Sequence, residues 1–397
     1  MKSPSATDGT KVLIWGYYGC QNAGDDILLG TLCTLIRQLR PDAAISATVA
    51  DDRFVRSLQV TPLPVAPRRG SRVLSLLSVI RDRVRAIAAN DLVLFGGGTQ
   101  IFDRGKNRWY PIMTFALVLA ANRLFLRRPV LHFGIGMGPV ETGAGRFFSR
   151  VVIRCSDLFV VRDRDSYRLL ERLGCPENKL LLSCDLAYFL PAPSGDRAGG
   201  EGRALKVALS AFPYYQYVER DPVANQNLLQ AAIGFTDKFL QGHPEAEIHL
   251  IAMQGAFAND DHEFGLRIRE ASSCRDRIHC HPYQGDIERL HALMAGMDLA
   301  VGMRLHFNIL CYLHGVPVVP LAYQQKVASE AARFADRELV LDARSVTGEG
   351  IYQAVTALME RRAATLARYR EALAELASLA QQGREALQSF LASQRRL

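Results

Sequence analysis

The sequence predicts an α/β protein built from two Rossmann-like domains that face a cleft. Short apolar runs alternate with helix-like segments on both sides of one stretch rich in Pro and Gly. Such alternation is typical of βαβ units, in which helices join parallel strands. At 397 residues, nearly half of them hydrophobic, the chain is also longer than one core usually supports. These observations favour two domains of the same class.

The first half of the chain contains a series of predicted strands. They cover residues 11–15, 44–49, 92–95, 130–133, 158–161 and 180–182. Helix-like patterns lie between them at residues 26–40, 71–89, 109–126 and 165–173. Strands that alternate with helices in this way form a parallel sheet. We therefore predict an N-terminal Rossmann-like domain over residues 1–190.

A linker is predicted where Pro, Gly and Ser become frequent, at Pro191 to Arg203. With the linker at residues 191–204, a second Rossmann-like domain covers residues 205–345. Its predicted strands lie at residues 206–210, 247–252, 278–281, 299–301 and 316–319, and its helices at 225–241, 260–271, 287–296 and 307–314. Residues 346–397 are rich in Ala, Leu, Glu and Arg. They predict a C-terminal helical segment that crosses back onto the first domain.

The charge balance favours anionic substrates or an anionic surface, because 48 basic residues stand against 40 acidic ones, a net charge of +8. The basic residues occur singly or in short groups, so we expect no nucleic-acid partner. The eight cysteines form no CxxC pair, which is typical of the reduced thiols of an intracellular protein. Residues 1–10 are polar and lack the apolar region of a signal peptide.

One apolar segment, Ile112 to Leu126, leaves two interpretations open. It contains Asn122 and Arg123 and is too short for a transmembrane helix. A helix that is apolar nearly all round is more often buried than bound to a membrane. Because Arg127 and Arg128 follow directly, it could also lie on a membrane surface. We expect a cytoplasmic protein, with peripheral contact to the inner face of the membrane as the second option.

Glycine clusters follow three of the predicted strands and suggest a ligand-lined cleft. Their spacing is neither GxGxxG nor that of a P-loop, which argues against NAD and against P-loop nucleotide binding. Asp25 stands at a predicted helix start, where a capping carboxylate is common. The candidate pocket residues of the three clusters are Asn22, Gly24, Gly97, Gly98, Gly136 and Gly138.

Arg304 and His306 end an apolar run and are the strongest candidate pair. If residues 298–303 form a buried strand, the two side chains leave its carboxyl end on one side. An Arg offers a fork of donors to phosphate or carboxylate, and a His moves protons at neutral pH. Arg162, after the strand at 158–161, is the second candidate cation. The structural alternatives are that Arg304 caps a helix or pairs with a carboxylate, that His306 is a satisfied residue at a helix start, and that Arg162 forms a salt bridge.

No metal site is predicted. His279 and His281 could share one face of a strand. No third ligand stands near them in the sequence, and zinc sites need three or four protein ligands. We therefore expect neither a bound metal nor a cofactor.

The ordered set of motifs resembles the polysaccharide pyruvyl transferases, which attach pyruvate from phosphoenolpyruvate to sugars of cell-surface glycans. The resemblance rests on Gly16 to Gly19 with Asn22 to Asp25, Gly96 to Gly98, Gly134 to Pro139, Val161 to Asp163 with Ser166, and Met303 to His306 followed by Gly315 to Pro317. It implies a GT-B-like fold. Two positions depart from the family pattern: Gly302, where Ser or Thr is expected, and Ile135, which is often polar.

The resemblance further implies a transferase whose donor substrate is phosphoenolpyruvate and whose acceptor is a glycan or a lipid-linked oligosaccharide. His306 would transfer protons, and Arg304 and Arg162 would bind the phosphate and the carboxylate of the donor. Asp25 would activate a sugar hydroxyl. The product would be a pyruvate ketal, and phosphate would be released. With two arginines to neutralise the donor, this scheme needs no metal.

Two alternatives stay open. A GT-B glycosyltransferase that uses a nucleotide sugar would also need arginines and glycine turns, although no sequence element for the base and ribose is evident. A catalytically silent glycan-binding or scaffold protein is the other alternative. It would have no chemical need for Arg162, Arg304 and His306 together.

Overall fold

The computed structural model describes residues 9–51, 55, 58–64, 72–103, 109–189, 204–255 and 261–393. These residues form two compact units. Unit 1 takes the described parts of Met1–Gly19, Ile27–Leu190 and Leu376–Leu397. Unit 2 takes those of Cys20–Asp26 and Pro191–Glu375. The predicted linker, Pro191 to Arg203, lies outside the described residues.

Unit 1 contains an eight-stranded parallel sheet in the order β3-β2-β1-β4-β6-β7-β8, with β5 paired to β6. Its strands are β1 (Lys11–Tyr18), β2 (Ala44–Val49), β3 (Thr61–Pro64), β4 (Leu92–Gly96), β5 (Thr99–Ile101), β6 (Val130–Met137), β7 (Leu158–Val161) and β8 (Leu180–Leu182). The central strands β4 and β6 are buried along their whole length. This explains their continuous apolar sequences, because a parallel sheet is covered on both faces.

Helices cover the sheet of unit 1. They are α1 (Ala23–Leu39), α2 (Arg72–Ala88), α3 (Trp109–Ala121), α4 (Gly143–Cys155) and α5 (Arg164–Arg172), with shorter helical segments at Asn122–Leu126, Glu177–Lys179 and Leu186–Phe189. Thr142 and Asp163 begin α4 and α5, and each side chain accepts a hydrogen bond from a backbone N–H of the first turn. Phe95 and Phe159 lie in the core on either side of the imidazole of His132, which both rings stack against.

Unit 2 contains a six-stranded parallel sheet in the order β11-β10-β9-β12-β13-β14. Its strands are β9 (Lys206–Ser210), β10 (Glu247–Ile251), β11 (Ile278–His281), β12 (Leu299–Gly302), β13 (Val318–Ala322) and β14 (Leu341–Asp342). Counted along the chain, the spatial order is 3-2-1-4-5-6, that of a Rossmann domain. In such a sheet the strand order reverses between the first and fourth strands, here β9 and β12. Ligands bind beyond the carboxyl ends at this switch point.

The helices of unit 2 pack on a core centred on Val207, Leu209, Ile248 and Phe235. They are α6 (Pro222–Gly242), α7 (Asp261–Ala271), α8 (Ile287–Ala295), α9 (Leu305–Leu313), α10 (Gln325–Phe334) and α11 (Gly348–Glu360), with shorter helical segments at Tyr215–Glu219, Arg275–Arg277 and Arg337–Leu339. The last helix, α12 (Arg362–Ser393), begins in unit 2 and enters unit 1 at Leu376.

Within unit 1, the end of α12 is tied to the sheet and to α1. The Ser183 hydroxyl donates to the backbone carbonyl of Leu379 at 2.8 Å, and the Arg40 guanidinium donates to the carbonyl of Leu391. Two helices, α11 and α12, therefore replace the single helical segment expected from residue 346 onward. The break falls at Arg361.

The predicted α/β class and two parallel sheets are confirmed, since every predicted strand is present within a few residues. The pattern did not indicate β3, β5, β14, α4 and α10. Strand β3 contains Pro62 and Pro64, which usually argue against a strand. It lies at the edge of the sheet, where the missing N–H groups cost no ladder hydrogen bond.

Among the described residues, Trp109–Leu126 is the one helical stretch long and apolar enough to cross a membrane. One side of it belongs to the core of unit 1, where Ile112, Ala116 and Leu119 are buried. A third of the stretch is buried in all. The expectation that this stretch is buried in the core is therefore met on one face of the helix only. The opposite face is exposed, at Leu117 and Leu124.

Candidate functional site

Arg304 stands at the switch point of unit 2, between the end of β12 and the start of α9. It occupies the N-cap position of α9 in an extended backbone conformation. The helix begins at Leu305, so His306 belongs to its first turn. The expectation that Arg304 and His306 share a face through strand alternation is therefore wrong. The two side chains come from a strand-to-helix turn rather than from one extended segment.

The guanidinium of Arg304 is held by a buried carboxylate. Its Nε and Nη2 donate to the two oxygens of Asp261, at 3.1 and 2.5 Å. The side chain of Arg304 is 15% exposed and that of Asp261 is 0% exposed. The guanidinium carbon lies 3.6 Å from the centre of the Phe212 ring, in cation–π contact. Among the described residues, no hydrogen-bond partner faces the remaining nitrogen, Nη1.

Asp261 is the positioning group of this arrangement. One of its oxygens also accepts from the backbone N–H of Met253 at 3.1 Å. Burial raises the pKa of the Asp261 carboxyl above its ordinary value, and the charge of Arg304 acts against that rise. Burial also raises the pKa of Tyr323, which packs against Phe212, to about 12. The Arg304–Asp261 pair thus lies beside the aromatic rings of Phe212 and Tyr323. In such a low-dielectric environment a charge interacts more strongly with another charge than it does in water.

His306 packs against Gly24. A Cβ atom added to Gly24 would overlap with Nδ1 and the ring carbons of the imidazole. The glycine therefore leaves the space that the His306 ring occupies, which is a reason for glycine at this position other than backbone freedom. Gly24 belongs to a motif near the start of the chain and His306 to one near residue 300. The structure brings the two residues together in unit 2.

The turn that carries Gly24 is capped by Asn22 and attached to the loop after β10. The Asn22 side chain accepts from the backbone N–H groups of Gly24 at 3.0 Å and Asp25 at 3.4 Å. The Gln254 amide donates to the carbonyl of Cys20 at 2.8 Å. Asn22, not Asp25, is thus the cap of α1. Asp25 lies half-buried in the first turn of the helix.

The neighbouring carboxylate, Asp26, is fully buried and was not singled out from the sequence. It accepts a hydrogen bond from the Tyr283 hydroxyl at 2.8 Å. Burial and the charge of Asp26 raise the pKa of Tyr283 well above its ordinary value, so the phenol stays protonated. This pair ties the start of α1 to the segment after β11 within unit 2.

In unit 1, Arg162 follows β7 and is 8% exposed. Its Nη1 donates to Asp185 at 2.9 Å and its Nη2 to the Thr99 hydroxyl at 3.3 Å, while Nε lies 3.5 Å from an oxygen of Asp163. A Cβ atom at Gly136 would lie 2.9 Å from Nη2. Gly136 therefore leaves the space that the Arg162 guanidinium fills.

The other candidate glycines of unit 1 lie at turns. Gly97 and Gly98 join β4 to β5 with positive φ values of 60° and 68°, which favour glycine. Gly138 follows β6 with φ of 92°. A Cβ atom at Gly97 would meet the Leu28 side chain at 2.6 Å, so this turn also packs closely on α1. Gly97, Gly98, Gly136, Gly138 and Arg162 thus share the carboxyl edge of one sheet.

Sequence reasoning missed the carboxylates that hold the two arginines. Asp261 lies 43 residues before Arg304, and Asp185 lies 23 residues after Arg162. No local pattern links either pair. The structural alternative, that each arginine pairs with a carboxylate, describes what both guanidinium groups do.

The two parallel Rossmann-like sheets place the protein in the GT-B-like α/β class, and each sheet has a carboxylate-held arginine at its carboxyl edge. Residues 22–325 match the family described as polysaccharide pyruvyl transferase, and the chain belongs to that family. The resemblance found in the sequence motifs is thereby confirmed.

Relatives agree with the family and the fold. The amylovoran biosynthesis protein AmsJ of Erwinia amylovora is 20% identical over 393 residues, and the match covers 88% of this chain and 92% of AmsJ. The UDP-GlcNAc 2-epimerase of Neisseria meningitidis, solved with UDP-GlcNAc, superimposes with a TM-score of 0.62 at 12% identity, covering 95% of this chain and 99% of the epimerase. HepE of Anabaena, solved with UDP and glucose, superimposes with a TM-score of 0.57 at 14% identity, covering 97% of this chain and 100% of HepE. At these low identities, the two superpositions show that this chain is similar to both structures in fold alone.

Proposed function

We propose that this protein transfers the pyruvate group of phosphoenolpyruvate to a sugar of a polysaccharide or of its lipid-linked precursor. One hydroxyl of the acceptor adds through its oxygen to C2 of phosphoenolpyruvate and loses its proton, while C3 gains a proton and becomes a methyl group. Phosphate then leaves C2, and a second hydroxyl adds there and loses its proton. The products are a pyruvate ketal and inorganic phosphate.

The observation that carries this proposal, within the family, is the environment of Arg304. Asp261 fixes the orientation of the guanidinium and leaves Nη1 without a described partner. A preorganised cation of this kind can bind the phosphate or the carboxylate of the donor without reorganisation. Each charge-assisted hydrogen bond contributes roughly 1.5–3 kcal/mol. The donor would therefore bind to unit 2.

His306 is the proposed proton-transfer group. It stands two residues after Arg304, in the first turn of α9, with Gly24 against its ring. Proton transfer to C3 and from the hydroxyls needs a group that titrates near neutral pH, as imidazole does. Asp25, on the same turn as Gly24, is the second candidate and would activate a sugar hydroxyl.

Arg162 is the second candidate cation. Each of its three guanidinium nitrogens faces a described oxygen, from Asp185, Thr99 or Asp163. Less of its hydrogen-bonding capacity remains for a substrate than in Arg304. We propose that unit 1 forms the acceptor side, and that Arg162 supports the glycine turns there and contributes charge rather than a full fork of donors.

Thermal unfolding with phosphoenolpyruvate, compared with a panel of nucleotide sugars, tests the donor. A ligand at a hundred times its Kd adds about 2.7 kcal/mol to stability. We expect phosphoenolpyruvate to raise Tm in the wild type and in the control Arg361→Ala, an exposed arginine of unit 2, but not in Arg304→Ala. A shift with a nucleotide sugar instead would replace this proposal with a glycosyltransferase. Phosphate release on addition of acceptor then completes the assay.

We further propose that unit 1 docks on an anionic lipid bilayer, which would bring the enzyme to a lipid-linked acceptor. Tyr110, Leu117 and Leu124 recur every seven residues along α3 and the helical segment after it, and all are exposed. Phe125 beside them is 80% exposed. Phe147 of α4 is exposed too. Together these five residues form the apolar face of unit 1.

Charge complementarity points to an anionic membrane as the occupant of the apolar face. Helix α4 packs on α3, where Phe148 stacks on Trp109 with ring centres 5.9 Å apart. Exposed arginines line α4 at positions 146, 150 and 154. Apolar and aromatic side chains rimmed by arginine are the pattern of a helix that lies in the interface of an anionic bilayer.

Co-sedimentation with vesicles tests this docking. We expect binding to phosphatidylglycerol vesicles, weaker binding to phosphatidylcholine vesicles, and loss of binding in Phe125→Ser and Arg150→Glu. Val223→Ser, which changes an exposed apolar residue of unit 2, is the matched control and should bind like the wild type. Equal sedimentation of Phe125→Ser and the wild type would refute the membrane contact without touching the donor assay.

A further inference from the structure

A cluster of three histidines and one glutamate lies on one face of the sheet edge in unit 2. Strand β11 is the edge strand, and β10 is its neighbour. His249 of β10 pairs directly with His279 of β11 in the parallel register. Because side chains two apart share a face, Glu247 joins His249, and His281 joins His279.

The side chains of this cluster approach each other at distances suited to a metal ion. Nε2 of His249 lies 3.2 Å from one oxygen of Glu247, and Nε2 of His279 lies 3.9 Å from the other. One ligand atom from each of Glu247, His249 and His279 lies within 4.8 Å of the other two. Ligands about 2.1 Å from a tetrahedral zinc ion are roughly 3.4 Å apart. Small side-chain rotations would close this difference.

His281 is suited to orient His249 rather than to bind the ion. Its Nε2 lies 3.0 Å from Nδ1 of His249. With the ring proton of His249 on Nδ1 and donated to His281, Nε2 presents its lone pair towards Glu247 and His279. Histidines that bind metals commonly donate their other ring N–H to a protein group or water, which fixes the ring.

Exposure would allow an ion to enter. The side chains of Glu247 and His279 are 32% and 43% exposed, whereas that of His249 is 9% exposed. Two ligands thus lie at the surface and one is anchored in the sheet, which leaves a position for water. Among the described residues, this is the one place where three such ligand atoms come so close.

The alternative is a purely structural network, in which Nε2 of His249 donates to Glu247 at 3.2 Å. Glu247 also lies 3.8 Å from the ammonium group of Lys206, so one cation is already beside the carboxylate. A divalent cation between Glu247, His249 and His279 would instead accept one lone pair from each of the three ligand atoms.

We propose that Glu247, His249 and His279 bind one Zn²⁺ ion, with water in the fourth position and His281 orienting His249. The expectation of no metal site rested on the missing third ligand near His279, whereas the neighbouring strand β10 supplies two ligands, Glu247 and His249. The ion would fasten the edge strand β11 to β10. This inference is independent of the proposed pyruvyl transfer, since neither Arg304 nor His306 belongs to the cluster.

Isothermal titration calorimetry, in which Zn²⁺ is added to the metal-free full-length protein, tests the site. We expect one ion per chain, with affinity at least 100-fold lower in His249→Ala and His279→Ala and about 10- to 100-fold lower in His281→Ala. Glu247→Gln keeps the side-chain size and should also weaken binding strongly. His291→Ala is the control, because it removes a half-buried imidazole of unit 2 outside the cluster.

Two further readouts separate metal binding from folding. Co²⁺ in place of Zn²⁺ should give the visible absorption of a tetrahedral site in the wild type and in His291→Ala, and lose it in His279→Ala. The side chain of His279 is 43% exposed and lies on the edge strand, so that variant should fold. Absence of a stoichiometric ion in the wild type, or unchanged Zn²⁺ affinity in His279→Ala and Glu247→Gln, would overturn the proposal.

Discussion

Arg162 in unit 1 and Arg304 in unit 2 occupy similar positions in their sheets. They differ in how many of their guanidinium nitrogens face a protein oxygen. Each follows a strand of a parallel sheet and donates to a buried aspartate. All three nitrogens of Arg162 face described oxygens, whereas Nη1 of Arg304 faces none among the described residues. An arginine whose nitrogens all face protein oxygens mainly stabilises the fold. An arginine held from one side keeps donors that a ligand can use.

The histidines of the two units differ in the same way. His132 is fully buried in unit 1 between two phenylalanine rings, and its pKa falls to about 3 because burial disfavours the charged form. His306 lies half-buried beside Arg304 in unit 2. A buried stacked imidazole cannot exchange protons with a substrate. Position in the fold, not residue type, thus decides which histidine suits catalysis.

The largest expected effect tests the two histidines. His306→Ala should lower kcat for phosphate release by about 10²–10⁴-fold, because the proposed proton-transfer group is lost. His132→Phe, which keeps an aromatic ring in the stack, should leave kcat near that of the wild type. Steady-state assays at saturating phosphoenolpyruvate measure both. Full turnover by His306→Ala would assign the proton transfer to another group.

The carboxylates that hold the arginines come next. Asp261→Asn leaves Arg304 as a buried cation without its ionised partner, which should cost about 3–5 kcal/mol of stability. Asp185→Asn should cost less, because Asp163 remains 3.5 Å from Arg162. Urea unfolding of the two variants gives the comparison. Equal losses would mean that the two pairs are energetically alike, contrary to their geometry.

The glycine beside His306 is the third test. Gly24→Ala should displace the imidazole and lower kcat by on the order of 10²-fold, since misplacement by about 1 Å can have this effect. Gly265→Ala is the control, because a Cβ atom there meets the Leu250 side chain at an ordinary 3.5 Å. Both variants are assayed as above. A normal kcat in Gly24→Ala would show that the ring tolerates the displacement.

The smallest effect is a pH dependence of stability. His132 binds a proton in the unfolded chain below pH 6.5 but stays neutral in the fold down to about pH 3. The unfolded state therefore binds more protons in this window, and stability falls as the pH falls, by up to about 1.4 kcal/mol for each unit. Unfolding at pH 7 and pH 5 should show a smaller loss in His132→Phe. Identical losses would place the acid sensitivity elsewhere.

Much of the fold could be predicted because its signals are local. The apolar run Leu92 to Phe95 and the glycines after it indicate a buried strand and its turn from adjacent residues alone. The same holds for Val130 to Phe133. Strand β3 was missed since its two prolines oppose a strand locally, and only its edge position in the sheet makes them acceptable.

The sequence by itself determined the parallel α/β class, the family motifs and the candidates Arg304, His306 and Arg162, because periodicity and turn chemistry depend on neighbours in the chain. Only the tertiary structure decided that Asp261 holds Arg304, that Gly24 accommodates the ring of His306, and that Glu247 joins the histidines of β11. These contacts join residues far apart in the chain. They exist because strands and helices pack in one register, and no local pattern encodes which partner that packing selects.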